Sequence, residues 1–167
     1  MQVAWRKKPV QRRSAATVEL VLEASTRILE EEGFARLNTN AVARRAGVSI
    51  GSLYQYFPSK EAIIAALILR SHERIVAMLH GLTADTAGMN AREAISYMLR
   101  MVLEAHEDAP RASRILEAEE MRLPKTAEVI AAEQEIEDLN VAFFARYVDR
   151  RRCSPAALRV AAADTVA

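Results

Sequence analysis

Residues 46–61, AGVSIGSLYQYFPSKE, gather two glycines, three serines, two tyrosines and a lysine into sixteen positions. A stretch that only filled a core would carry fewer hydroxyls. Taken as a short helix from Ser49 to about Tyr56 and projected at ~100° per residue, Leu53 and Phe57 mark a buried side. Gly51 and Gln55 fall opposite them, with Ser52 and Tyr54 on the flanks. The outward side therefore offers bare backbone, a hydroxyl and an amide. Glycine costs a helix about 1 kcal/mol relative to alanine, a cost that makes sense where another surface must press on the backbone. Ser52 and Gln55 can hydrogen-bond base edges, glutamine in bidentate fashion to adenine, and Ile50 at the helix start can touch a thymine methyl. The phenols of Tyr54 and Tyr56 can donate to phosphate oxygens. Lys60 opens the next helix, where a cation is unfavourable unless an anion lies beside it. Together these groups suit a duplex groove walled by two phosphate strands. In an ordinary helical core, the same turn and aromatics would simply be half-buried.

Such a surface needs short, firmly capped helices behind it. The chain reads as all-α: it holds five glycines, the last at Gly88, and no alternating β-branched run. Ser14 is placed to cap a first helix with Val18, Val21, Leu22, Ile28 and Leu29 on its apolar face, and Gly33 to end it. Asn38 can cap a short second helix that Gly47 ends in the left-handed conformation of a tight turn. Val48 can plug the gap between helices, and Ser49 can cap the third. This is a helix-turn-helix pattern, whose second helix enters a DNA major groove. Pro58 stops the third helix, and Ser59 caps a long fourth from Lys60 to about His80, with Gly81 to end it. Further helices are predicted over about 91–107, to about 122 and over about 125–151, the last carrying Val129, Ile130, Ile136, Leu139, Phe143 and Phe144 on its apolar side. Ser154 and Pro155 restart a final one. The expected organisation is a basic arm (1–13), a helix-turn-helix domain (14–59) and a helical domain (60–167).

Charge is distributed unevenly over the 167 residues. Residues 1–60 hold ten Lys/Arg against five Asp/Glu, whereas 61–167 hold thirteen against seventeen. Arg6, Lys7, Lys8, Arg12 and Arg13 all precede the first acid, Glu19. A basic end on an acidic body suits phosphate binding, although a solubilising tail would carry the same charges. No apolar run approaches the ~18 residues needed to span a bilayer, and the N-terminal stretch lacks the apolar core of a secretory signal. The single cysteine, Cys153, rules out an internal disulfide and fits a reducing, cytoplasmic setting.

Residues 33–63, GFARLNTNAVARRAGVSIGSLYQYFPSKEAI, resemble the DNA-binding segment of the tetracycline-repressor (TetR) family of bacterial regulators. The preceding helix and the RKKPVQRRS arm resemble the family's N-terminal extension. From residue 64 onward the likeness is one of architecture. The resemblance implies DNA contacts at Thr39, Asn40, Ser49, Ile50, Gly51, Ser52, Tyr54, Gln55, Tyr56 and Lys60. It also implies a homodimer on a pseudo-palindromic double-stranded operator, acting as a repressor that a small molecule releases by entering the C-terminal domain. Asn38 stands where the family usually has threonine or serine, and still caps. Family members commonly close with two long helices that build a four-helix dimer bundle. This chain has room for one, so either it is truncated at the C-terminus or its dimer is built differently.

In the C-terminal half, Met78, Met89, Tyr97, Met98, Met101, Met121, Phe143 and Phe144 are the residues from which a ligand pocket could be built. Methionine adapts to irregular guests and equally fills ordinary cores. His106 with Glu107, and Glu119 with Glu120, read as solvated helix ends. His72 and His80 lack a third ligand at metal-binding spacing, so no metal is expected, and no cofactor. No catalytic constellation or phosphate-binding glycine loop is present in the sequence, so an enzyme is not expected. The rival reading is a helical small-molecule-binding or protein-interaction module without DNA binding.

Overall fold

The computed structural model describes residues 12–107 and 109–147, and among these it contains helices and no strand. In order they are α1 (Arg12–Glu31), a 3-10 turn (Phe34–Arg36), α2 (Thr39–Ala46), α3 (Ile50–Tyr56), α4 (Lys60–Asp85), α5 (Ala91–Glu107), α6 (Arg111–Glu120) and α7 (Ala127–Tyr147). The basic side chains of the N-terminal arm, Cys153 and the helix expected from Ser154 lie outside the described residues. Helix α1 is already formed at Arg12, ahead of the cap expected at Ser14, since two arginines, good helix formers, precede that serine without a breaker.

The described residues pack as two units, one of 12–71 with 109–129, the other of 72–107 with 130–147. The division expected after Ser59 is not where packing separates. Ala62–Ile68 are buried without interruption at the start of α4. Most of them join Val21, Leu29, Val42, Leu53 and Phe57 in one core, together with Ala112 and Leu116 of α6. A helix that is apolar all round over two turns belongs inside a unit, not between units.

Within this first unit the five apolar positions predicted for α1 are all buried. Ser25, buried on the same face, donates its hydroxyl to the Val21 carbonyl at 2.7 Å, so the polar group is satisfied within its own helix. Gly33 follows α1 with φ 81 and ψ 177, a backbone region essentially reserved for glycine. A Cβ there would lie 3.0 Å from Nη2 of Arg111. The same guanidinium donates through Nη1 to the Glu30 carbonyl at 3.0 Å. In return, Glu30 Oε1 accepts the Ala112 backbone N–H at 2.9 Å and caps the start of α6 from α1.

The second unit is centred on Leu79, Leu82, Ala94, Met98, Ile136 and Phe143. Gly81 does not end α4, which continues to Asp85. The fully buried Leu82 and the 2.7 Å bond from Thr86 Oγ1 to the Leu82 carbonyl outweigh the roughly 1 kcal/mol penalty of a helical glycine. Arg146 Nη1 donates to the Thr83 carbonyl and the Tyr147 hydroxyl to the Thr86 carbonyl, both at 2.9 Å, holding the end of α7. Ile130, expected on the apolar side of α7, is exposed. The buried stripe follows Val129, Ala132, Ile136, Asn140 and Phe143, and Ile130 lies about 100° away from it. No described helix is long and apolar enough to cross a membrane.

Candidate nucleic-acid interface

Three caps set the geometry of α2 and α3. Asn38 Oδ1 accepts the Ala41 N–H at 2.9 Å and opens α2. Gly47, at φ 68 and ψ 26, closes it. Its N–H donates to the Arg44 carbonyl at 3.3 Å while Val48 N–H donates to the Ala43 carbonyl at 3.1 Å, the paired bonds of a Schellman ending. Val48 packs on the core, and Ser49 Oγ accepts the Ser52 N–H at 3.0 Å to open α3. A helix-turn-helix therefore forms with its two helices fixed by backbone groups rather than by long side chains.

Leu53 and Phe57 are 0% exposed. On the other side Gly51, Tyr54 and Gln55 are exposed, Ser52 is half-buried, and Ile50 keeps an open edge at the helix start. Gly51 is informative because nothing inside the protein requires it. Its φ is not positive, and a Cβ built there would have Ser49 Oγ, 3.9 Å away, as its nearest neighbour. Ser49 and Ser52 hold their hydroxyls 2.8 Å apart.

The Tyr54 hydroxyl lies 3.1 Å from Thr39 Oγ1, tying the middle of α3 to the first turn of α2. In such a pair one hydroxyl hydrogen closes the link and the other can still reach a phosphate oxygen. Asn40 is exposed beside Thr39. Arg45 is engaged by Glu31 and by Glu32, the latter at 3.1 Å. Its neighbour Arg44 is exposed, takes no part in that pairing, and shares a face of α2 with Asn40 one turn earlier. The four-residue spacing from Asn40 is visible in the sequence.

Two residues differ from expectation. Tyr56 is half-buried and packs on the core of the unit, so its phenol is less available than that of Tyr54. Lys60 does not extend into solvent. Its ammonium donates to the Phe34 carbonyl at 3.3 Å and sits 3.6 Å from the centroid of the Phe34 ring. Partial burial lowers its pKa, with the nearby Glu61 and Glu119 carboxylates acting in the opposite direction. The cation at the start of α4 is thus balanced from within by a carbonyl and a ring face.

The residues expected to line a pocket are placed in different ways. Met98 and Phe143 are core residues of the second unit, and Tyr97, Met101 and Phe144 pack partly buried against that core. Tyr97 donates its hydroxyl to Asp85 Oδ2 at 3.1 Å, a bond that raises the phenol's pKa. Met78 is half-buried. Met121, however, is 91% exposed and lines no cavity. Helix α6 ends at Glu120, which leaves Met121 on the turn instead of on a packed helix face.

A capped two-turn helix with a sealed apolar back and a polar, partly bare front, set by a tight glycine turn against a second short helix, defines a helix-turn-helix protein. Residues 21–67 match the family model described as bacterial regulatory proteins, tetR family. Over 110 residues, 66% of this chain and 52% of the relative, the sequence is 32% identical to the nucleoid occlusion factor SlmA of Glaesserella parasuis. Over 113 residues, 66% of this chain and 55% of the relative, it is 30% identical to the HTH-type transcriptional regulator UidR of Escherichia coli K12. The fold matches that of a TetR-family transcriptional regulator from Streptomyces coelicolor with a TM-score of 0.64 and 27% identity, covering 92% of this chain and 78% of that one. The chain spans about half the length of the curated relatives it matches. Its first unit thus carries, over residues 21–67, a segment similar to the DNA-binding model of that family.

Proposed function

We propose that this chain regulates transcription by laying α3 in the major groove of duplex DNA. The observation that carries the reading is Gly51: an exposed helical glycine with open space around it, on the side opposite Leu53 and Phe57, costs stability without serving the fold. A closely approaching groove accounts for it, and a purely ligand-binding or protein-interaction module would have no use for it. Ser52 and Gln55 then read base edges, while the Thr39–Tyr54 pair, Asn40, Ser49 and Arg44 meet the phosphate strands. Ile50 meets a thymine methyl.

The protein acts as a homodimer on a pseudo-palindromic operator, with its two α3 helices about 34–36 Å apart to meet successive grooves. Repression is relieved by a small molecule held in the second unit, which lowers operator affinity by its differential affinity for the two states and by no more. The experiment is a gel-shift titration against DNA from upstream of its own coding region, at two salt concentrations. Sequence-selective binding that weakens with salt is expected. Equal affinity for an unrelated duplex of the same length would sink the proposal.

A further inference from the structure

The geometry points to Arg111 and Glu30 as positioning residues for operator reading: exchanged between the start of α6 and the end of α1, they set the seat of α2 and α3 without touching DNA. This role rests on the reading of α3 as the groove-binding helix. Every residue in it belongs to the first unit.

Each of the two helix ends lacks what the other supplies. Helix α6 follows Pro110, which gives it no side-chain cap, and it opens on a cation, Arg111, where the helix dipole disfavours one. Helix α1 has no basic residue in its last turn and closes on Glu30 and Glu31, where a cation is preferred. Exchange resolves both mismatches. Arg111 Nη1 donates at 3.0 Å to the carbonyl of Glu30, one of those a helix leaves open at its end, and Glu30 Oε1 accepts the Ala112 N–H at 2.9 Å. Arg111 is exposed, so its guanidinium fills no core. What it meets is the exit of α1, with Nη2 3.0 Å from where a Cβ on Gly33 would stand. Gly33 has no side chain of its own to hold its conformation.

From Gly33 a run of short bonds leads to α3. The Arg36 N–H donates to the Gly33 carbonyl at 3.2 Å, and Asn38 Nδ2 to the Arg36 carbonyl at 3.1 Å. The other end of that amide opens α2 through Ala41, and Thr39 beside it is linked to Tyr54 of α3. A rotation at Gly33 is passed along this chain to the cap of α2 and on to α3. Hydrogen bonds to base edges weaken steeply with misalignment, whereas phosphate contacts carry no sequence information. Loosening the clasp therefore costs sequence preference before it costs affinity for DNA in general.

The test uses the full chain well below its melting temperature. It compares affinity for a duplex from upstream of its own coding region with affinity for an unrelated duplex of the same length. Arg111→Ala and Glu30→Ala should each lower that ratio about ten-fold. One removes a positive charge and the other a negative one, so a purely electrostatic effect on DNA would move them in opposite directions. Arg111→Lys, which can still donate to the Glu30 carbonyl, should recover most of the ratio. Amide exchange at Ala41 should quicken in Arg111→Ala. As a control, Thr126→Ala removes the 3.3 Å cap that opens α7 in the same unit. It should lower the melting temperature about as much as Arg111→Ala does and leave the ratio at its wild-type value. An unchanged ratio in both alanine variants, changes of opposite sign, or an equal fall in Thr126→Ala would overturn the clasp and leave groove binding standing. A wild type without preference for the upstream duplex would overturn the reading of α3 and the clasp with it.

Discussion

Gly51 makes a prediction of double sign. Nothing within the protein opposes a Cβ at that position, so Gly51→Ala should stabilise the free protein by up to about 1 kcal/mol. The same methyl would stand between backbone and groove, so operator affinity should fall. Thermal melts and gel shifts on one preparation check both signs; a stabilised variant with unchanged affinity would remove Gly51 from the interface. Gln55→Ala should relax preference at one base pair by about 1–3 kcal/mol, read by competition among operator variants. For Lys60 the structure changes the expectation. Its ammonium already holds the Phe34 carbonyl and ring face, which pins the turn after α1 to the start of α4. Lys60→Ala should therefore destabilise the fold by about 1 kcal/mol and leave the slope of affinity against salt unchanged. A flattened slope would show that the ammonium leaves Phe34 for a phosphate.

At the level of elements, caps and turns carry the precision of the site. Gly47 sits at φ 68, so Gly47→Ala should cost about 1–2 kcal/mol and blur the angle between α2 and α3. Glu30→Gln should weaken the cap that α1 lends to α6 by about 1 kcal/mol, visible as faster amide exchange at Ala112. Much of this was legible in the sequence, because caps are local: Asn38, Gly47, Ser49 and Ser59 each act within three residues of their targets, as in the 3.2 Å bond from Ala62 N–H to Ser59 Oγ. What the sequence hid depends on distant partners. Gly81 looked like a stop because the burial of Leu82, which overrides it, is a tertiary fact. Lys60 looked free because Phe34, 26 residues earlier, gave no sign of lying beside it. Met121 looked like pocket lining until the end of α6 placed it on a turn.

On the scale of the whole molecule, the imbalance of ten basic to five acidic residues in 1–60 should make DNA affinity fall steeply between low and physiological salt, while a melt of the free protein should shift much less, since its cores are apolar. The two units are also assembled from interleaved stretches of chain, with 109–129 packed in the same unit as 12–71. Arg111 fills the space over Gly33 that any other residue would claim, and Ala112 and Leu116 seal the core behind α3. A reading head excised at residue 59, or even at 71, would leave an uncovered apolar scar and a Glu30 carboxylate with no backbone to cap. Such a fragment should aggregate or melt early, and a graft of this head onto another protein will keep its shape only if α6 is carried along.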